Sequence, residues 1–257
     1  MLTVKEGDLL KMDLADILSL DPNDLKRKLS AKEILYIFKT CGAYWLHPTY
    51  TNPRAPHALL TTGKHSDIYI NCPKVLCYTN LCQIMAYQIW FLVESNYRGP
   101  IDWVTGSDSS GLGLSKDVAN LFKCRWNPMQ KVKPRRPGEG EQQTWEKMVI
   151  KPDETVLHIE ELMVTSTTAQ RVRNGINGAH VNYPIKFVPF LPVLVLRPEV
   201  RKPVQIEGTN IIAPLYFETQ VVDPAVDTCP FCAEGSEAIK PKGKNWEILM
   251  NSMDPID

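Results

Sequence analysis

A strand followed by two acids and a hydroxyl-rich turn most constrains the fold of this 257-residue chain. Residues 155–159 are largely apolar and rich in β-branched side chains, which is typical of a strand buried on both faces of a parallel sheet. Glu160 and Glu161 follow at the carboxyl end of the strand, the edge at which open α/β sheets bind ligands. Carboxylates at that edge can accept hydrogen bonds from the vicinal hydroxyls of a sugar.

The turn after these acids offers groups that bind anions. Its hydroxyl side chains are those of Thr165, Ser166, Thr167 and Thr168. They can cap a helix, and the backbone N–H groups and dipole at a helix start favour a phosphate. We predict a helix that continues to about Asn174, with Gly175 or Gly178 at its end. The same pattern also suits acids that are merely solvated first-turn residues, so this segment alone leaves a structural role open.

Residues 160–168 resemble the phosphoribosyl-pyrophosphate motif of type I phosphoribosyltransferases, in which two acids precede a Thr-Gly-x-Thr turn. The resemblance implies that Glu160 and Glu161 are catalytic residues that hold the ribose hydroxyls, and that the turn binds the 5′-phosphate. Both acids are Glu where the family usually has at least one Asp, and Ser166 stands where the family prefers Gly. Because Ser carries a Cβ, close approach of the backbone to the phosphate is hindered.

A longer match lies upstream. Residues 59–76, with the sequence LLTTGKHSDIYINCPKVL, resemble the segment LTSGRHSDxYxxCxxVL of orotate phosphoribosyltransferases. In that family the segment forms part of a hood over the base, so the resemblance implies substrate contacts for Lys64, His65 and Tyr69. From the residues alone, we predict a turn over residues 62–64 and a strand over residues 67–76. An ordinary hairpin with a surface lysine is the alternative.

Residues 103–119 combine a short apolar strand, a Gly/Ser turn and an amphipathic helix. Loop amides in such a βα unit can face an anion. The turn is similar to the pyrophosphate-binding loop of the family. That similarity implies substrate contacts from Gly106, Ser107, Asp108, Ser109, Ser110 and Gly111. A Gly/Ser turn also serves as a plain connector.

Residues 124–150 lack apolar periodicity and contain a basic run that passes into a Gly-Glu-Gly turn, so we expect a mobile functional loop rather than a packed element. The stretch is similar to the loop that closes over the diphosphate in orotate enzymes. By that similarity, Lys131 and Arg135 take catalytic basic positions, whereas Val132 and Pro137 stand where the family carries Lys and His. A solvated charge run or a nucleic-acid patch is the alternative.

Cys229 and Cys232 form a CxxC pair, similar to the C-terminal tail in one branch of orotate phosphoribosyltransferases. Such a pair is half of a structural zinc site, which needs four ligands. Cys72, Cys77 or Cys82 could complete one in space, but we expect free or weakly paired thiols instead. We expect no metal ligand among the side chains, including the histidines.

The composition favours an enzyme over a membrane or nucleic-acid-binding protein. The 29 Lys and Arg balance the 29 Asp and Glu, and no apolar run reaches membrane-spanning length. Seven cysteines without a signal peptide favour a reducing compartment, so we expect a cytoplasmic protein with neither a membrane nor a nucleic-acid partner.

Alternating strand and helix segments predict an α/β fold with a central parallel sheet flanked by helices, which the resemblance identifies with the type I phosphoribosyltransferase fold. We expect an N-terminal helical extension over residues 1–28 and a phosphoribosyltransferase domain over residues 29–257. Within that domain, residues 29–80 and the C-terminal segment form a small hood.

The resemblance implies transfer of ribose 5-phosphate from phosphoribosyl-pyrophosphate to orotate, which forms orotidine 5′-monophosphate and pyrophosphate. The base attacks C1 of the ribose as pyrophosphate leaves, so the protein positions both reactants and neutralises the diphosphate. Mg²⁺ is the expected cofactor, bound mainly through the diphosphate, and a homodimer is the expected assembly. Two further hypotheses stay open: a relative that senses the ligand without turnover, and a transferase for another base.

Overall fold

The computed structural model describes residues 4–107, 111–132, 142–199, 204, 206 and 208–253. Two short 3-10 helices span Leu9–Lys11 and Pro22–Leu25. The α-helices in the described residues are α1 (Leu14–Ser19), α2 (Ala31–Thr40), α3 (Pro73–Leu76), α4 (Thr79–Asn96), α5 (Gly111–Phe122), α6 (Thr167–Ala179), α7 (Pro230–Ala233) and α8 (Lys244–Ser252). The strands are β1 (Tyr44–Leu46), β2 (His57–Leu59), β3 (His65–Ser66), β4 (Ile68–Ile70), β5 (Trp103–Gly106), β6 (Arg125–Trp126), β7 (Gln130–Val132), β8 (Gln142–Thr144), β9 (Thr155–Met163), β10 (Lys186–Phe187), β11 (Phe190–Leu196), β12 (Asn210–Ile212), β13 (Leu215–Tyr216), β14 (Val221–Val222) and β15 (Ala238–Ile239).

The central sheet has the strand order β12-β11-β9-β5-β6. In addition, β10 pairs with the start of β9, and β13 pairs with the end of β11. All of these pairings are parallel. The register sets Trp103 opposite Val156 and Val193 opposite Glu160. The carboxyl ends of β5 and β9 therefore meet at one edge of the sheet, where open α/β folds bind ligands.

Helices cover both faces of this sheet. Leu157 and Ile159 of β9 belong to the largest hydrophobic cluster, which also contains buried side chains of α4 and α5. Val156, on the other face of the same strand, packs with Val172 and Ile176 of α6. The predicted α/β class, with a central parallel sheet flanked by helices, is confirmed.

A second, smaller sheet lies beside the central one and has the order β14-β3-β2-β15. Its strands come from two distant parts of the chain, because β15 pairs with β2 through Ala238 and His57, and β14 pairs with β3 through Val221 and Ser66. Alongside it, β1 and β4 form an antiparallel pair. These strands come from the parts of the chain predicted to form the hood, and we call this region the hood below.

The N-terminal residues pack onto the main core. Leu9, Ile17 and Leu25 are fully buried in the largest hydrophobic cluster. Ser30 and Glu33 form a capping box, since the hydroxyl of Ser30 and the carboxylate of Glu33 cap the start of α2 reciprocally. The limits predicted for an N-terminal extension and a separate domain stay a prediction. None of the helices in the described ranges has both the length and the apolar composition needed to cross a bilayer.

Two predicted element boundaries around the acids are wrong. β9 does not end before Glu160 but continues to Met163, because β11 keeps pairing with it through Leu196. α6 does not stop near Asn174 but passes through both predicted terminal glycines to Ala179. A Cβ at Gly175 would lie 2.1 Å from the carbonyl oxygen of Gln143, so this glycine allows β8 to pack closely against α6 rather than ending the helix.

Two other segments also differ from expectation. Residues 67–76 are not one strand, since β4 is followed by α3, which has Pro73 at its first position. Residues at both ends of the predicted 124–150 loop are packed: β7 and β8 form an antiparallel pair, and the side chains of Met129 and Trp145 are buried. Residues 133–141 lie outside the described part of the chain.

Candidate active site

Two adjoining cavities lie beyond the carboxyl end of β9 and share Val164 and Thr165 as a common wall. The smaller has a volume of about 160 Å³ and is lined by Glu160, Leu162, Met163, Val164, Thr165, Thr168 and Ala169. The larger has a volume of about 390 Å³ and extends under the hood. It is lined by Leu59, Leu60, Thr61, Thr62, Lys64, Tyr69, Val164, Thr165, Arg197, Glu199, Lys240, Pro241 and Lys242. The two cavities together form one cleft with two compartments.

Glu160 is a buried carboxylate held by two hydrogen bonds. The alternation of β9 places Glu160 and His158 on the same face of the strand, and His158 Nε2 lies 2.8 Å from Glu160 Oε1. The other oxygen accepts a hydrogen bond of 2.6 Å from the hydroxyl of Ser107, just after β5. Glu160 therefore joins the ends of two neighbouring strands, and it also lines the smaller cavity.

Glu161 lies on the opposite face of β9. It is half-buried, and a Cβ added at Gly111, the first residue of α5, would lie 3.0 Å from Glu161 Oε2. Cys72 of the hood region lies 3.7 Å from the backbone carbonyl of Glu161, to which its thiol donates. The two adjacent acids therefore diverge, and they are held by different parts of the molecule.

The turn before α6 exposes hydroxyl groups but does not use them as predicted. Ser166 occupies the N-cap position, yet its side chain accepts no capping hydrogen bond, so the predicted hydroxyl cap is wrong at this residue. Thr165, Thr167 and Thr168 are exposed, and the hydroxyls of the first two lie 3.3 Å apart. The first-turn N–H groups of a helix have no intrahelical acceptor, so an anion can bind here.

The larger cavity carries positive charge, and its most buried cation is Arg197. This residue directly follows β11, is only 3% exposed, and donates from Nη1 to the hydroxyl of Ser66 and the carbonyl of Ile68. Within the described residues, the buried Nε of Arg197 has no hydrogen-bond partner. Lys64 Nζ lies 3.2 Å from Glu199 Oε1 in the same cavity. The compartment therefore suits an anionic ligand.

Burial governs the charges around this compartment. Burial lowers the pKa of Arg197. The negative charges of neighbouring acids, of which Asp67 has the largest effect, raise this pKa again in part. Burial raises the pKa of Asp67 to about 6, against the opposing effects of backbone hydrogen bonds and of Arg197. Asp67 Oδ1 accepts a hydrogen bond of 2.9 Å from the backbone N–H of Gln220, which ties the hood to the C-terminal segment.

Comparison with known proteins finds relatives of this chain among the orotate phosphoribosyltransferases. No family model matches the chain. The orotate phosphoribosyltransferase of Thermoanaerobacter sp. (strain X514) is 26% identical over 224 residues, which cover 85% of this chain and 100% of the relative. That of Campylobacter curvus (strain 525.92) is 26% identical over 216 residues, which cover 80% of this chain and 95% of the relative.

The chain is similar to orotate phosphoribosyltransferases along most of its length. The resemblance found in its motifs is thereby confirmed. A solved orotate phosphoribosyltransferase from Aeropyrum pernix has 16% sequence identity and a TM-score of 0.49, with 72% of this chain and 92% of that chain covered.

The structure brings several of the predicted site residues to the cleft. Glu160, Thr165 and Thr168 line the smaller cavity, and Lys64 and Tyr69 line the larger one. Gly106 and Ser107 close the β5 edge beside Glu160, and Gly111 adjoins Glu161. Asp108, Ser109, Ser110 and Arg135 lie outside the described residues.

Two predicted site residues lie elsewhere. His65 is buried against His57 and Cys232 and lines neither of these cavities, so its diphosphate contact stays a prediction. Lys131 is exposed on β7, opposite Gln143, and its catalytic role also stays a prediction. Arg197 was missed from the sequence. The signal that could have found it is a lone cation directly after an apolar strand, at the ligand-binding edge of the sheet.

Proposed function

We propose that this protein is a phosphoribosyltransferase that moves ribose 5-phosphate from phosphoribosyl-pyrophosphate to orotate. The cleft is the observation that carries the proposal, because a compartment at a helix start adjoins a cationic compartment across the shared residues Val164 and Thr165. The similarity to orotate phosphoribosyltransferases over 85% of the chain supports it independently.

The smaller compartment fits the phosphoribosyl group. The N-terminus of α6 and the exposed hydroxyls before it bind the 5′-phosphate, which a helix dipole stabilises by about 0.3–1 kcal/mol at an exposed site. Glu161 lines neither cavity but directly follows Glu160 and lies beside Gly111, and its proposed role is to bind a ribose hydroxyl, where its negative charge favours the cationic sugar of the transition state. Glu160 fixes the ends of β5 and β9 around the sugar through Ser107 and His158.

The larger compartment fits the base. Orotate carries a carboxylate that uracil lacks, and carboxylates pair with guanidinium and ammonium groups. Arg197 lies at the cavity wall, and among the described residues its buried Nε has no hydrogen-bond partner. Lys64, Lys240 and Lys242 line the same cavity. An uncharged base offers no carboxylate to the buried guanidinium of Arg197, which disfavours its binding.

The diphosphate of phosphoribosyl-pyrophosphate would be the main ligand of Mg²⁺. The ion prefers oxygen ligands and keeps several waters, and the half-buried carboxylate of Glu161 is an oxygen donor of the required type beside the β5 edge. When bound, Mg²⁺ supplies positive charge that neutralises the departing pyrophosphate. Lys131 and Arg135 are proposed to add charge at the same group.

The test is release of pyrophosphate from phosphoribosyl-pyrophosphate in the presence of Mg²⁺, with orotate, uracil and adenine compared at equal concentrations. We expect turnover with orotate, and at least about 100-fold lower kcat/KM with uracil, since the loss of a charged partner costs about 3 kcal/mol. Turnover with adenine but not orotate would instead make the protein a transferase for another base.

A second function is favoured by the packing of Glu160. Both of its oxygens already accept or share hydrogen bonds inside the protein, and Ser166 replaces the glycine of the family motif. A site of this kind suits a protein that binds phosphoribosyl-pyrophosphate as a signal. Calorimetric binding without pyrophosphate release for any base would favour this function over catalysis.

The assembly and location follow from the same proposal. By the resemblance, we expect a homodimer in the cytoplasm, in which the basic stretch of one subunit reaches the site of the other. Sedimentation velocity measures the mass in solution. If the protein is a dimer, Lys131→Ala chains can be mixed with Glu161→Gln chains to form mixed dimers. Activity returns in the mixture only when the basic stretch of one subunit acts in the site of the other.

A further inference from the structure

Four side chains with metal-binding atoms converge in the hood, away from the cleft. They are His57 of β2, His65 of β3, and Cys229 and Cys232, which lie at the start and within α7. One nitrogen of each ring and both sulfurs lie within 4.8 Å of one another. The sequence predicted free thiols or a third cysteine as partner, but the structure places two histidines beside the pair.

The distances match the edges of a small tetrahedron. His57 Nε2 lies 3.7 Å from each sulfur, and His65 Nδ1 lies 3.5 Å from the sulfur of Cys232. Zinc bonds of about 2.0–2.1 Å to nitrogen and 2.3 Å to sulfur place tetrahedral ligands roughly 3.3–3.8 Å apart. The two ring nitrogens, at 2.9 Å, need to separate by only a few tenths of an ångström.

The hydrogen bonds around His57 set the tautomer that a metal requires. Ser236 donates its hydroxyl hydrogen to the carbonyl of Ala55, so its oxygen accepts from His57 Nδ1 at 2.7 Å. With the proton on Nδ1, the lone pair of Nε2 points at the two sulfurs. Ligating histidines typically donate their second N–H in this way, which fixes the ring and raises its basicity.

Three members of the cluster are buried and one is exposed. His57, His65 and Cys229 are buried, and the rings of Phe231 and His47 lie 5.2 Å and 6.4 Å from that of His57. Cys232 is exposed, so an ion can enter from solvent.

We infer that His57, His65, Cys229 and Cys232 bind one structural Zn²⁺ ion. Two sulfurs and two nitrogens in a tetrahedral arrangement are a donor set typical of zinc, and four protein ligands leave no position open for catalysis. The ion links the C-terminal segment to the hood sheet, where β15 already pairs with β2. Lys64 lies on the hood segment and Lys240 on the C-terminal segment, and both side chains line the larger cavity.

Without an ion, the same atoms would form a hydrogen-bonded imidazole pair beside two thiols, or the cysteines would form a disulfide. Metal analysis of the intact chain, expressed with added Zn²⁺ and purified under reducing conditions, separates these cases. We expect one zinc per chain in the wild type. The matched control is Cys77→Ser, which removes an exposed thiol outside the cluster and leaves the zinc content unchanged.

Cys232→Ser is expected to weaken zinc binding by more than about 100-fold, because even the loss of a partner that only orients a ligand costs 10- to 100-fold. Should that variant fail to fold, Co²⁺ substitution in the wild type gives the same information. Tetrahedral cobalt with two thiolates shows intense visible bands and a sulfur-to-metal charge-transfer band.

Several results would overturn the inference: wild-type protein that takes up neither Zn²⁺ nor Co²⁺, zinc affinity unchanged in Cys232→Ser, stoichiometric iron instead of zinc, or a Cys229–Cys232 disulfide in the reduced preparation. Metal content is measured without substrate, so failure of the transferase assay would not affect this test. A Zn-specific chelator should also lower the melting temperature of the wild type but not of Cys232→Ser.

Discussion

The divergence of Glu160 and Glu161 predicts that two chemically identical substitutions have different consequences. Glu160→Gln replaces a buried carboxylate that holds Ser107 and His158 at 2.6 and 2.8 Å. Glu161→Gln replaces a half-buried carboxylate beside Gly111. We expect the first to reduce stability and the second to reduce affinity for phosphoribosyl-pyrophosphate.

The magnitudes follow from the contacts. Hydrogen bonds to a charged group contribute about 1.5–3 kcal/mol, against about 1 kcal/mol for neutral pairs. Glu160→Gln should therefore lower the free energy of unfolding by about 2 kcal/mol, which corresponds to a melting temperature about 4–8 °C lower in a chain of this size. Glu161→Gln loses about 1–2 kcal/mol of ribose binding, which raises Kd by about 5- to 30-fold.

Both quantities can be measured on the same preparations, by urea denaturation and by calorimetric titration of phosphoribosyl-pyrophosphate with Mg²⁺. Each variant serves as the control for the other, because the substitution and the lost charge are identical. Unchanged affinity in Glu161→Gln would show that this residue does not bind the ribose. Weaker binding with full stability in Glu160→Gln would show that the acids act as a pair on the ligand.

Two further predictions concern the scaffold. Burial raises the pKa of Glu154, but hydrogen bonds from Lys151, Trp103 and Arg125 outweigh burial and lower the pKa to about 2. The contribution of Glu154 to stability is therefore present above about pH 4.5 and is lost as the pH falls toward 2. Glu154→Gln should lower stability at pH 7 by about 2 kcal/mol and flatten this acid dependence in urea denaturation; an acid limb identical to that of the wild type would contradict the assignment. Gly175→Ala should destabilise the protein by about 1–3 kcal/mol, because the new Cβ would meet the carbonyl oxygen of Gln143 at 2.1 Å. A Cβ at Gly178 would have nothing within 4 Å, so Gly178→Ala should stabilise α6 by up to about 1 kcal/mol. Equal effects of the two alanines in thermal unfolding would show that β8 does not pack against α6.

Local patterns were sufficient to predict the fold class and the position of the cleft. The apolar run before Glu160 indicated a buried strand of a parallel sheet, and such a strand brings its carboxyl end to the ligand-binding edge. The Ser-x-x-Glu pattern that begins at Ser30 is a local signal of the same kind, because the hydrogen bonds of this capping box join residues only three apart. Of the residues that the resemblance to orotate enzymes assigned to substrate contacts in this segment, Lys64 and Tyr69 line the larger cavity and His65 does not, and their contacts with a substrate stay a prediction.

Only the tertiary structure decided features that depend on contacts between distant residues. β9 extends past its acids because β11 continues to pair with it, and α6 passes through Gly175 because β8 lies against it. The histidine–cysteine cluster joins His57 to Cys229, which are 172 residues apart. Composition and periodicity describe the neighbours of a residue along the chain, whereas the hydrogen bonds and close packing that set these features form only when separate strands and helices meet.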